Sequence, residues 1–487
     1  MLAALRGIWG DQRKAMMAAG LLFAVINAVL VAMEVFYAPL LPILLALVLL
    51  ALFALDKLVL LIVFLTPLSV NITDIGGGVG MTLPTDPLLF GAMLLFLLKL
   101  MTERVVSNEV SNHPVTLAII VNLAWILITS ITSEMPMVSF KFFLSRLWYV
   151  VVFYFLLVHM MAQVRNMRMF IGLYLVAFTG IICYTVIHHG MYGFEEQPAH
   201  WVMSPFFNDH TSYGAALAFY YPLLLLMAIT GPYGRWWKFG LWIMIGIFTI
   251  GLVLSYTRAA WISLIGAFGV YMAMRLRIPF KSLALAGIGL LIAFFSMKDQ
   301  ILMKLEKNRQ DSSAEFAEHV QSISNISTDA SNLERLNRWA SAWEMFKERP
   351  FEGWGPGTYM FQYAPFQNSD DKTIISTNAG DKGNAHSEYI GPLAESGVFG
   401  MVSFIIVVIC ACYTSVMVWM RTRDPELRML VMGSFLGLVT YFMHGMLNNF
   451  LDTDKASAPF WGFMALIVAV EVFHNRPADK ASEQLDA

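Results

Sequence analysis

Residues 401–420 read MVSFIIVVICACYTSVMVWM, twenty positions without one Asp, Glu, Lys or Arg. A helix of about 20 apolar residues crosses the roughly 30 Å hydrocarbon core of a bilayer. Working outward, this span is read as 391–419, beginning beside Pro392. Comparable runs recur from 15–33 and 37–55, through a short one at 57–70, to 280–297, 427–447 and 458–474. Together they predict about 12–14 spans, because two adjacent runs can also form one kinked helix. The whole chain agrees. Its 487 residues are 58% hydrophobic and 14% charged, with a mean hydropathy of +0.63. A soluble domain is about 45–50% apolar and about 25% charged. A disordered chain and a soluble globular enzyme are thereby set aside. The net charge of −2 supplies no basic field for nucleic acid. Cys183, Cys410 and Cys412 lie in apolar runs, with neither a disulfide framework nor zinc spacing. The expected fold class is an all-α polytopic membrane protein with one large loop.

Charge placement orients the helices. Positive residues mark the cytoplasmic ends of spans. Alternate connections carry Arg6, Arg13 and Lys14, then Arg165 and Arg168, Arg235 and Lys238, Arg421, Arg423 and Arg428, and finally Arg476 and Lys480. The intervening segments 34–36, 71–85 and 188–208 have no Lys or Arg. An even count follows, with both termini cytoplasmic and the first apolar run read as a span rather than a cleaved signal. The predicted organisation is membrane helices over 1–200, helices carrying Arg258 over 201–297, a large outer loop over 298–389, helices over 390–475 and a cytoplasmic tail over 476–487. The polar stretch 308–331 reads as an insertion in that loop.

The candidate site residues gather on the outer side. Ser331-Asn-Leu-Glu334 is a capping-box pattern; the helix it opens should run to about Lys347, before Pro350. Leu336, Ala340 and Trp343 make one apolar stripe, and Arg335 and Arg338 share another face. Gly353-Trp-Gly-Pro-Gly357 reads as a phosphate loop or as a tight turn; the Walker and dinucleotide spacings are missing. Gly383-Asn-Ala-His386-Ser-Glu runs into a helix that pauses at Gly397. A neutral His386 near that helix start is a candidate general base, or a surface histidine capping the helix. Arg258, in Ser255-Tyr-Thr-Arg258 at an outer junction, is a functional candidate or snorkels to lipid phosphate. The same two readings hold for Arg146. Asn208, Asp209 and His210 suit a sugar or cap a helix. His444 reads as structural. Asp452-Thr-Asp454 is a weak metal pattern, and no metal site is expected.

Several of these pieces together resemble the O-antigen ligase and O-antigen polymerase superfamily of bacterial membrane glycosyltransferases. The resemblance rests on Ser255-Tyr-Thr-Arg258, Arg335-x3-Trp339, Arg349-Pro-Phe-Glu-Gly-Trp-Gly-Pro-Gly, His386-Ser-Glu-Tyr-x5-Glu395-x-Gly397 and Asn208-Asp-His210. It is strongest over about 200–450. It implies a C-type glycosyltransferase fold in the bacterial inner membrane, with the site facing the periplasm. The donor it implies is a glycan on undecaprenyl pyrophosphate, and the acceptor is lipid A–core or a growing polysaccharide. It also implies His386 acting on the acceptor and Arg258 and Arg335 on the pyrophosphate. Arg338, Arg146, Asn208 and His210 are added as substrate-binding candidates from the residues themselves. Because the donor is already activated, no cofactor is expected; membrane lipids are partners and nucleic acid is not. O-antigen ligation is the leading expectation and polymerisation of repeat units the alternative. A transporter of lipid-linked sugars, which would need ionisable residues deep in the bundle, ranks below both. The span count and the 308–331 insertion depart from the family's commoner pattern, which leaves the acceptor open.

Overall fold

The computed structural model describes residues 20–30, 32–33, 41–72, 81–102, 106–278, 330–367 and 383–475. The expected span 280–297, nearly all of the 308–331 insertion and the tail 476–487 lie outside them. The chain separates at Leu58 and Val59 into two compact units. The first holds two apolar helices, Gly20–Leu30 and Leu41–Phe53. The 57–70 run forms the helix Leu55–Leu65, 11 residues long. At 1.5 Å per residue that is about 16 Å, half the depth of a bilayer core.

Among the described residues nine helices are long and apolar enough to cross a membrane, and the protein is an all-α, multi-pass membrane protein. In chain order they are α1 (Thr85–Thr102), α2 (Pro114–Ile131), α3 (Pro136–Met160), α4 (Val164–Gly190), α5 (His210–Thr230) and α6 (Arg235–Leu254). After α6 comes α7 (Arg258–Arg275), also 18 residues but with an arginine at each end. The amphipathic α8 (Ala330–Glu348) follows, then α9 (Ile390–Arg421), α10 (Pro425–His444) and α11 (Asp454–His474). A two-stranded antiparallel hairpin, β1 (Val70–Ile72) and β2 (Met81–Leu83), sets Asn71 opposite Thr82 just before α1.

Small residues let the inner helices meet. A Cβ on Gly433 of α10 would run into Leu223 of α5, and one on Gly437 into the Phe219 carbonyl. Close backbone approach of this kind is how helices pack in lipid, where apolar burial alone gives no drive to associate. Tyr174 stacks on Tyr220 at 4.4 Å and Phe219 on Tyr441 at 5.2 Å, which fills the space around the crossing.

α9 is two helices joined at Gly397, where φ is 67° and ψ is −168°. The pause read from the sequence is therefore a true break. Its cause is the segment after α8: the Val398 amide donates to the Pro350 carbonyl at 2.9 Å, and a Cβ on Gly397 would collide with the Phe351 carbonyl. Gly397→Ala should lower stability by at least about 1–2 kcal/mol, the ordinary cost of a left-handed non-glycine residue. Gly172→Ala, on α4 with nothing near its new Cβ, should lose nothing. Thermal unfolding of the two variants in one detergent checks this.

The α8 helix ends at Glu348, before Pro350, as read, and the stripe of Leu336, Ala340 and Trp343 is not its buried side. Ala340 is exposed and Trp343 is 50% exposed, while Glu334, Asn337, Arg338, Ser341, Ala342 and Met345 are buried. The buried side is mixed: Glu334, Asn337, Arg338 and Ser341 share it with Ala342 and Met345, which pack with Tyr359, Tyr363, Ala385 and Ala394. Glu334 of the capping-box pattern bonds Arg338 Nε at 2.8 Å.

Candidate active site

The His386 turn is held from both sides. Its residues precede α9, which starts at Ile390, four positions later than the sequence suggested. Ser387 Oγ accepts from the Tyr389 and Ile390 amides, each at 3.2 Å, so Ser387 rather than His386 closes the helix start. His386 has φ of 49°, a left-handed conformation that a non-glycine residue keeps only when its surroundings enforce it. Its amide donates to Asn384 Oδ1 at 3.0 Å. Gly383 lies against the Arg338 guanidinium, where a Cβ would collide. Arg338 in turn donates to the Asn384 carbonyl at 3.3 Å and sits 4.7 Å from the Tyr363 ring centre.

The electrostatics follow from that packing. Burial, then the guanidinium charges of Arg335 and Arg338, push the His386 imidazole down to about 4 from its usual 6.5, with Glu334 and Asp209 opposing. The causes that favour the neutral form are burial and the two arginines, rather than the helix dipole expected from the sequence. Arg335 Nε donates to the Leu447 carbonyl at 3.2 Å. Near Arg335, the buried His444 accepts from Asn448 at 3.1 Å, in keeping with the structural reading. Arg258 is half-buried at the first position of α7. The residue before it, Thr257, donates to the His210 carbonyl at 2.8 Å and packs on Gly214, which ties the starts of α5 and α7 together.

Other candidates resolve one by one. Asp209 caps α5, accepting from the Ser212 amide at 2.8 Å. The His210 ring lies 4.1 Å from that of His200. Asn208 is exposed, and with Asp209, Asn71, Thr82 and Phe450 it lines an open cleft with Lys455 in its wall. Arg146 is 9% exposed, its guanidinium over the Phe142 ring at 5.4 Å. It stays inside the bundle and does not snorkel. Its charge acts on both Glu395 and Asp452.

The glycine loop is a turn. Its Trp354 and Gly355 amides donate to the Ala394 and Glu395 carbonyls at 3.1 and 2.8 Å. A phosphate cradle needs those N–H groups pointing at a ligand. Glu395 Oε1 also accepts from the Tyr359 amide at 3.0 Å. The Asp452-Thr-Asp454 pair is divided: Asp452 is exposed, while Asp454 Oδ2 is buried with Ser69 Oγ at 2.6 Å and Thr85 Oγ1 at 2.7 Å. Lys455 Nζ joins them through Ser69 Oγ at 2.7 Å. Among the described residues no three His, Cys, Asp or Glu side chains gather as a metal site. Sequence reasoning missed Lys455 and Glu388. The one legible signal for Lys455 was a lysine opening an apolar run.

Fold and site together define a polytopic membrane protein in which a half-buried histidine just before a helix start lies among the charges of Arg335 and Arg338. Residues 239–405 match the family described as O-antigen ligase, and this supports the resemblance to the O-antigen ligase and polymerase superfamily. The matched segment holds Arg258, Arg335, Arg338 and His386, and leaves out Arg146, Asn208 and His210. No curated protein matches the chain.

Proposed function

We propose that this protein transfers a glycan from undecaprenyl pyrophosphate to a sugar hydroxyl at the periplasmic face of the bacterial inner membrane, as an O-antigen ligase acting on lipid A–core. The observation that carries the reading is His386, kept neutral beside Arg335 and Arg338 within the family-matched segment. A sugar hydroxyl is a poor nucleophile until its proton is removed. His386 takes that proton as the hydroxyl oxygen bonds to the anomeric carbon. The bond from that carbon to the pyrophosphate breaks in the same displacement, its electron pair leaves with the lipid pyrophosphate, and the anomeric configuration inverts. Arg258 and Arg335 offer planar donors to the departing phosphates, and Arg146 and Arg338 add positive charge around them. Asn208, which lines the open cleft, and His210 two residues on contact the sugars. The donor brings its own leaving group, so no nucleotide or metal is called for. In this reading both termini are cytoplasmic, and residues 298–389 form the periplasmic loop.

The test restores the chain in cells lacking their native gene and resolves surface polysaccharide on a gel. Long glycan on lipid A–core is the expected result. Single repeat units lengthened to chains, with capping of lipid A–core independent of the protein, would make it a polymerase.

A further inference from the structure

Glu388 is a carboxylate that the mechanism above does not use, yet it is 94% removed from solvent, with 6% exposure. Its side-chain hydrogen bonds converge on one oxygen. Oε1 accepts from the Tyr441 hydroxyl at 2.6 Å and from the Phe450 and Leu451 amides at 2.8 and 2.9 Å. Its own amide donates to the Gly445 carbonyl at 2.8 Å. Tyr441 belongs to the last turn of α10, and Gly445, Phe450 and Leu451 to the turn between α10 and α11. One residue thus fastens the segment before α9 to the end of α10 through both backbone and side chain.

The residue fastened next to it is His386, two positions earlier and in a left-handed conformation. On its other side the same turn is held by Arg338 through the Asn384 carbonyl and Gly383. A strained residue persists only where its surroundings over-determine it, and here the two anchors are Arg338 and Glu388. We infer that Glu388 is a positioning residue for glycan transfer: its carboxylate, bound to Tyr441, Phe450 and Leu451, holds the His386 imidazole at the acceptor without touching substrate. This rests on the reading of His386 as general base.

The charged groups that act on His386 are Arg335, Arg338 and Glu334 of α8 and Asp209 at the start of α5. Those beside Glu388 are Tyr441 of α10 and Asp452 of the following turn. Loss of the Glu388 anchor should let the imidazole out of its buried place among these groups. Misplacement of a reacting group by about 1 Å costs on the order of a hundredfold in rate.

The full chain is purified in nanodiscs and given lipid-linked glycan and lipid A–core extracted from cells. The readout is released lipid pyrophosphate, which counts ligation and polymerisation alike. Glu388→Ala should lower kcat by roughly a hundredfold with the donor KM little changed. The acidic limb of its kcat/KM profile should rise from about 4 toward 6.5, the buried and ordinary values for His386. Glu388→Gln keeps an acceptor oxygen for all three donors and should rescue both quantities. Should Glu388→Ala fail to insert, Glu388→Asp, one methylene too short to reach, takes its place with the same criteria. The inference is overturned if turnover stays near wild type, if only the donor KM changes, or if the limb does not move. His386→Ala runs beside it. An active His386→Ala protein removes the base reading itself, whereas an inactive one beside a normal Glu388→Ala protein removes only the role of Glu388.

Discussion

Replacing His386 with alanine is expected to abolish glycan transfer while leaving the protein in the membrane in normal amount. A positioned general base contributes roughly a hundred- to ten-thousandfold to a rate. The loss should therefore lie in that range in vitro and read as complete on a gel. The side chain is half-buried, and the turn is held by other groups: Asn384 and Ser387 within it, and Arg338 and Glu388 on either side. Cells with the variant should accumulate the lipid-linked glycan that the wild type consumes. The pH dependence gives a second check. The unfolded imidazole binds a proton below about 6.5 and the folded one only below about 4. Between those values the unfolded state carries more protons, so this group makes stability rise with pH across that window. His386→Ala should lose that part of the slope and unfold later than wild type near pH 5, relative to their order at pH 7. A variant that keeps full transfer, or whose unfolding keeps the wild-type slope, would contradict the assignment.

The spans were legible in the sequence because a membrane helix needs little more than sustained apolar length, and α1 to α6 and α9 to α11 satisfy that requirement. The break at Gly397 was legible because a glycine ahead of an apolar run has few other uses. Three things were not. Periodicity finds the faces of α8 but does not say which one is buried. Here the face with Arg338 and Glu334 went inward, and Trp343 stayed out. Burial of Arg146 depends on what surrounds α3, and no local pattern separates that from snorkelling. Glu388 lies inside the best motif, but its value comes from Tyr441, Phe450 and Leu451, more than fifty residues away in the chain. Partners at such separation leave no local mark. The candidate base was readable, and the carboxylate that anchors it was not.

Arg335 and Arg338 stand three residues apart and read alike in sequence, yet their substitutions should fail in different ways. Arg338 is 4% exposed and pairs with Glu334, itself 3% exposed, at 2.8 Å. Removing one member of a buried pair strands the other charge and costs about 3–5 kcal/mol. Arg338→Ala should therefore destabilise the α8 region and release the His386 turn through Asn384 and Gly383, so that thermal stability and turnover fall together. The double change Arg338→Met with Glu334→Leu removes both charges. It should recover much of the stability, since an apolar pair of similar volume is often neutral or better. It should not recover turnover, because the bond to the Asn384 carbonyl is still missing. Arg335 is half-buried and donates from Nε to the Leu447 carbonyl at 3.2 Å. Arg335→Ala should keep the melting temperature close to wild type and weaken donor use, with Arg335→Lys recovering charge but not the planar fork that suits phosphate. Parallel melting and donor-titration curves for these variants separate an arginine that shapes the site from one that meets the donor. If Arg338→Ala melts like wild type and loses only donor affinity, Arg338 belongs with Arg335 on the pyrophosphate and the buried pair does not hold the turn.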